Sequence, residues 1–417
     1  MDITAIVGGQ VIDGTGAPAI KNGLVLIEGD RITHAGAGKG VKVPRGATVI
    51  DAEGASVLPG LMDVHVHISL NAPADLVREL LSRPVGQVAF EVANNLRQTI
   101  ASGVTTIRTV SDLAHLDIAA RDSIRKGVLT GPRIHPCGKG LTTTGGHGDL
   151  MPCWLCQSHG DISETVDGPD AVRAAVRKQI KAGASWIKVF QTGGVIDPHG
   201  RLDAEEFSPA EFDVAVETAT LAGVPVAVHA HNKAAILRSI RAGCRSIEHG
   251  MLFDEDCAEE ARRHGAYLVP TLTVMNRIIE HGAGAGVPAY MIDNVSQRTA
   301  THHRFVKHAF DIGANLACGT DAGSMLTPHG SAGREVVQFV RAGLTPLQAI
   351  MVATRNTAKM LRTDDQVGTL AAGMLADVVV VEGDVLGQVE ALEDPANMRH
   401  VLLGGRRVAA GGRALGW

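Results

Sequence analysis

The 417-residue sequence predicts an α/β fold, a (β/α)8 barrel of the TIM type with a small β-sandwich domain formed from both termini. Three observations carry that expectation. Eight apolar, strand-like runs alternate with segments whose apolar residues recur at helical spacing. Both chain ends carry short β-branched runs punctuated by glycine and aspartate instead. Titratable residues gather at the tails of the central runs, the end at which such barrels place their chemistry.

The N-terminal part reads as short strands and turns in "AIVGGQVID", "GLVLIEGDRITHAG" and "ATVIDAEGASVLPG". The C-terminal part has the same texture in "GTLAAGMLADVVVVEGD" and "MRHVLLGGRRVAAGGRA". Residues 1–57 and 367–417 are therefore expected to pair as one composite β-domain, leaving 58–366 as the catalytic barrel. The barrel strands are expected in "LMDVHVHI" (61–68), "VTTIRTV" (104–110), "RIHPCG" (133–138), "WIKVF" (186–190), "VPVAVHA" (224–230), "SIEHG" (246–250), "YLVPTL" (267–272) and "NLACGTDAG" (315–323). Between them, "PDAVRAAVRKQIKAGA" and "SPAEFDVAVETATLAG" have polar openings, helical apolar spacing and a closing glycine. The stretch "GAGAGVP", within 276–300, reads as a long loop that shapes a lid over the pocket. Neither it nor "GGQVIDGTG" has the strand–turn–helix context of a dinucleotide site.

Composition narrows the function classes. With 45% hydrophobic and 20% charged residues, the chain has material for a large core and is not a disordered protein. A net charge of −5, without any Lys/Arg block, leaves no footprint for nucleic acid. No signal-peptide pattern and no long uncharged apolar stretch is visible, so a cytoplasmic protein with no membrane partner is expected. Six scattered cysteines do not make a disulfide framework. Cys153 and Cys156 form a single CxxC, more simply read as two ordinary thiols than as a redox pair or half a zinc site.

Lys188 is the anomaly. It lies between Ile187 and Val189 in a run that reads as a buried strand, where an isolated ammonium costs several kcal/mol to desolvate. His65 and His67 are two residues apart, so strand alternation points both to one face, an arrangement suited to a divalent metal. Core histidines held by hydrogen bonds are the alternative reading of such a pair. His229, His249 and Asp321, each at the tail of a different run, weigh against it. His231 shares the face of His229, and His147 lies in a Gly-rich loop after the third run. His329 follows the eighth run, whereas His302, His303 and His308, on an expected helix, read as surface residues.

Taken together, "LPGLMDVHVH", "GASWIKVFQTGGV", "VAVHAH", "SIEHG", "GTDAG" and "GTLAAGMLADVVVV" resemble the amidohydrolase superfamily in its binuclear subtype with a metal-bridging lysine. The resemblance spans essentially the whole chain. "TTTGGHGD" (142–149) is similar to the imidazolonepropionase-like branch, which includes zinc carboxypeptidases, Xaa-Pro and Xaa-Arg/Lys dipeptidases and ochratoxinase-like amidases. The resemblance implies two divalent ions, expected to be Zn2+, with His65, His67 and Asp321 on one and His229 and His249 on the other. It implies that Lys188 is carboxylated by CO2 and bridges both. A carbamate is anionic and bidentate, whereas an ammonium would be repelled by two dications. Two ions sharing a water would lower its pKa toward neutrality and supply a hydroxide nucleophile.

By the same resemblance Asp321 is the general base and acid, Lys188 and His231 complete the catalytic group, and His147, His231 and His329 contact substrate. The implied reaction is hydrolysis of the amide of a dipeptide or N-acyl amino acid, a small-molecule substrate, by a homo-oligomer that could reach an octamer. The alternative is hydrolysis of non-peptide xenobiotic amides, carbamates or ureas. A mononuclear deaminase or imidazolonepropionase does not use Lys188, and a non-catalytic scaffold would lack ligands that are all present here. Gln191 and Thr192 stand where many members of the family have small residues, so the pocket beyond the ligands is expected to differ.

Overall fold

The computed structural model describes residues 2–151, 161–195, 197 and 202–416. Cys153 and Cys156 lie outside the described residues. Eight parallel strands form the barrel: β1 (Leu61–Val66), β2 (Val104–Thr109), β3 (Arg133–His135), β4 (Ile187–Phe190), β5 (Val226–Ala230), β6 (Ser246–His249), β7 (Tyr267–Val269) and β8 (Asn315–Leu316). β1 pairs with β2 and β2 with β3, and an unbroken parallel ladder runs from β4 to β8. The ring closes between β8 and β1, where the Val64 and His67 amides donate to the Cys318 and Ala322 carbonyls at 2.9 and 2.7 Å.

The third strand is shorter than "RIHPCG" suggests. Pro136 has no amide to donate and Gly138 has φ +71°, so the ladder breaks and resumes at Gly140–Thr142, with Leu141 opposite Val189 of β4. The helix Pro169–Ala182 shows why the outer layer forms. Proline occupies its first turn, Gly183 at φ +108° closes it, and Val172, Ala175, Val176 and Gln179 bury one face. Helix Pro209–Leu221 begins with a Ser208/Glu211 capping box.

The β-sandwich is formed from both termini. One sheet runs in the order Arg31–Ala37, Gly23–Glu28, Ile3–Val7, Thr48–Asp51. The other joins N-terminal Ala55–Pro59 to C-terminal Val378–Glu382, antiparallel, with Val378 opposite Pro59. The valine run reads as continuous because both its faces are buried. Val378 and Val380 pack with Ile6, Val25 and Ile50 between the sheets, whereas Val379 and Val381 join the main core.

Two expectations are corrected. Residues 276–300 are two helices, Leu272–Ala285 and Ala289–Asp311, rather than a loop. Gly282 and Gly284 lie inside the first helix, and a Cβ on Gly282 would press Ile292 and Val287 at 3.3 Å, so this glycine lets the two helices approach closely. Gly286, at φ +82°, makes the turn. His302 is buried, because it shares a helix face with Phe305, Val306 and Ala309, and His303 and His308 are half-buried. No helix among the described residues is long and apolar enough to cross a membrane.

Candidate metal centre

His65, Lys188 and His229 stand on β1, β4 and β5, His67 and His231 just beyond their strands, and His249 at the end of β6. Asp321 follows β8. All seven are buried at the C-terminal rim of the barrel. Ligand atoms of His65, His67 and Asp321 lie within 4.8 Å of one another. His67 Nε2 approaches Asp321 Oδ1 to 3.1 Å and His65 Nε2 to 3.7 Å. The His249 ring centroid lies 4.7 Å from that of His65 and 4.6 Å from that of His229, and His231 is 4.6 Å from His229. Lys188 Nζ sits 4.9 Å from the Phe190 ring centroid.

Alternation alone places only some of these side chains. On β6, Ser246 and Glu248 share the interior face, which would turn His249 outward. His249 instead has φ +66° and turns inward. Asp321 at φ +64° and Thr271 at φ +48° repeat the device at the ends of other strands. Left-handed backbone at non-glycine residues costs about 1–3 kcal/mol each and persists where the surroundings enforce it. Here they do: His249 Nδ1 is 2.8 Å from Thr271 Oγ1, and the helix that follows Thr271 has its first amides held by the buried Glu335 carboxyl at 2.8 and 2.7 Å.

The ring nitrogens are sorted by their partners. The Ser111 carbonyl can only accept, so at 2.9 Å it fixes a proton on His67 Nδ1 and turns Nε2 to the centre. His65 Nδ1 lies 2.7 Å from Glu248 Oε2, again directing Nε2 inward. Burial, then the Lys188 charge, lowers the His65 pKa to about 4, and burial with neighbouring imidazoles takes His229 and His249 well below the ordinary histidine value. His67 is opposed by burial but raised by the Asp321 carboxylate. Asp321, despite the same desolvation, is kept low by His65 and His67. Burial brings Lys188 down to about 8. Lys188 Nζ and His229 Nε2 have no hydrogen-bond partner among the described residues. Unsatisfied buried polar atoms are expensive, and the imidazoles of His65, His229 and His249, lowered in pKa beside a carboxylate and an amine that burial has made easier to deprotonate, offer lone pairs rather than protons. The donor set fits divalent cations.

His147 reaches the same rim from the loop after Gly140–Thr142. Its ring stacks on His229 at 4.4 Å, its Nδ1 lies 2.7 Å from Asp197 Oδ1, and its amide donates to Glu206 Oε1 at 2.6 Å. A Cβ on Gly194 would fall 2.1 Å from His147 Cε1, so the double glycine leaves the room that this ring fills. His147 borders a cavity of about 1020 Å3, also lined by Leu76, Asp149, Tyr290, Met291 and Met325. The helix pair that replaces the expected lid thus still forms a wall. His329 stands apart. Its Nε2 donates to the Leu70 carbonyl at 2.8 Å, and it borders a separate cavity of about 510 Å3 with Asn71 and Phe90.

Several residues that shape the centre went unread in the sequence: Arg108, Glu248, Ser111, Thr271, Asp63, Asp197 and Glu206. Asp63 ties β1 to the Asp321 loop by accepting from the His65 amide, the Thr320 amide and the Thr320 hydroxyl at 3.2, 3.0 and 2.5 Å. Arg108 in "TTIRTV" carried the same signal as Lys188, a cation inside an apolar strand, and Glu248 stood beside His249 in "SIEHG".

The amidohydrolase family profile matches residues 56–408. The ochratoxinase of Aspergillus niger is 30% identical over 424 aligned residues, covering 97% of this chain and 86% of that protein. Among solved structures, a prolidase complexed with N-methylphosphonate-L-proline superposes with a TM-score of 0.87 at 32% identity, over 98% of this chain and 100% of the other. A Xaa-Pro dipeptidase with methionine bound in its active site gives 0.84 at 32% identity, over 97% and 99%. Sequence match, barrel and sandwich agree, and the chain belongs to the amidohydrolase family.

Proposed function

We propose that this protein is a binuclear metal-dependent amidohydrolase that cleaves the amide of dipeptides or N-acyl amino acids. The observation that carries the reading is the cluster of buried, inward-facing ligand atoms without partners among the described residues, Lys188 Nζ and His229 Nε2, set among buried histidines and one carboxylate. His65, His67 and Asp321 would hold one ion, His229 and His249 the other, and Lys188, carboxylated by CO2, would bridge them. Bound there, divalent ions such as Zn2+ supply Lewis-acid polarisation of the scissile carbonyl and acidify water. Asp321 takes the proton of the attacking water as its oxygen bonds to the carbonyl carbon, then delivers a proton to the nitrogen as the C–N bond breaks. A carboxylic acid and an amine leave. His147, oriented by Asp197, borders the cavity, and His231, whose Nδ1 has no partner among the described residues, would complete the substrate contacts.

The Xaa-Pro dipeptidase relative supports an amide whose leaving group is an amino acid. A hydrolysis screen of dipeptides and N-acyl amino acids, on protein of measured metal content, tests the reading. Release of a free amino acid with about two metal equivalents per chain is expected. Turnover confined to deamination substrates would refute the reaction class, and turnover confined to carbamates or ureas would shift the assignment to non-peptide substrates.

A further inference from the structure

Beneath the ligands lies a buried ion pair that the reaction itself does not use. Arg108 on β2 and Glu248 on β6 are both fully buried, with NH2 and Oε2 2.7 Å apart. Every polar edge of the pair is engaged. Arg108 Nε donates to the Val64 carbonyl at 2.6 Å and NH1 to Ser246 Oγ at 2.7 Å, and that hydroxyl donates to Glu248 Oε1 at 2.5 Å. The guanidinium lies 4.7 Å from the Trp186 ring centroid. Glu248 Oε2 spends its remaining capacity on His65 Nδ1. Removing one member of such a pair strands a buried charge, whereas the intact pair adds little to stability over apolar residues of the same size. Its retention calls for another reason.

The other tethered ligand nitrogens show what that reason is. His67 leans on a neutral carbonyl and His249 on a neutral hydroxyl. Among the described residues, His65 is the ligand whose far nitrogen meets an anion. A carboxylate there fixes the tautomer and makes the opposite nitrogen a stronger donor to a metal. His65 also touches rings of both groups, 5.6 Å from His67 and 4.7 Å from His249. We propose that Arg108 and Glu248 are positioning residues for the metal centre: Arg108 holds Glu248 in place, and Glu248 aims His65 Nε2 at the ion shared with His67 and Asp321. This rests on His65 being a ligand, as argued above.

The test compares full-length wild type, Glu248→Gln, and the double variant Arg108→Met with Glu248→Met, which removes both charges and keeps bulk. Each is stripped by chelation, then titrated with Zn2+ against a chromophoric chelator and with Co2+ by visible absorption. Wild type is expected to take up two equivalents. The double variant is expected to keep the apoprotein melting temperature within a few degrees and to bind the tighter equivalent roughly 10–100-fold more weakly, with an altered Co2+ spectrum. Glu248→Gln, which retains an acceptor without the charge, should fall between them. Unchanged affinity for both equivalents in the double variant overturns the proposal, and if that variant does not fold, unchanged affinity in Glu248→Gln does so. Wild type that binds no metal overturns the reading of the centre, and the positioning role with it.

Discussion

His65 and His67 are each held through Nδ1, by Glu248 and by the Ser111 carbonyl, whereas His229 and His231 rest against other imidazoles and leave ring nitrogens without partners. The inner half of the centre is thus ordered by the protein alone. In the outer half, His249 is tethered to Thr271, but His229 Nε2 has no partner among the described residues. If the centre holds two ions as proposed, the inner position is expected to fill first and with higher affinity, because less remains to be organised when the ion arrives. In the proposed reading, carboxylation of Lys188 would decide whether the second position exists.

That contrast can be broken at graded points. Asp321→Asn removes the carboxylate grouped with His65 and His67 and, in the proposed mechanism, the proton carrier, and kcat/KM is expected to fall about 10^4-fold or more with the fold intact. Steady-state hydrolysis beside a melting curve checks it. Lys188→Ala should bring the metal content from two equivalents to one or fewer and cost about 10^3-fold in kcat, read by elemental analysis and kinetics. His229→Asn should weaken the second equivalent roughly 10–100-fold while the first stays bound; loss of both together would show that the halves are not separable. Gly194→Ala displaces His147, so KM should rise roughly ten-fold or more with metal content unchanged.

The smallest expected effect concerns pH. Only the neutral amine of Lys188 can attack CO2, and burial sets its pKa at about 8. The reactive fraction therefore grows as pH rises through 8, and reactivation of apoprotein by Zn2+ at constant dissolved CO2 should be roughly ten-fold faster at pH 9 than at pH 7. A rate independent of pH would contradict carboxylation as the limiting step.

Much of the architecture was legible because barrel strands buried on both faces read as continuous apolar runs and their helices carry proline, capping residues and glycine at the right ends. The juxtaposition of His65 and His67 was legible too, because period-two alternation places both side chains on one face. His249 was found by its position at a strand tail, but the left-handed residue that turns it inward leaves no mark in a histidine, since any glycine-like signal is absent. The helix pair over 276–300 was misread because Gly282 serves helix packing there, where glycine ordinarily signals a break. His302 was misread because a histidine on a helix was assigned to the surface without asking which face it shares. Arg108 and Glu248 lie 140 residues apart, and a pair of that kind shows itself only once the strands are side by side.

The central claim, two ions bridged by a modified Lys188, is tested most directly by a crystal structure of protein loaded with Zn2+ and bicarbonate, with anomalous data collected at the zinc edge. The account predicts two anomalous peaks, one among His65, His67 and Asp321 and one at His229 and His249, with density for a carboxylate extending from Lys188 Nζ to both. A single peak, or none, beside an unmodified Lys188 would contradict it.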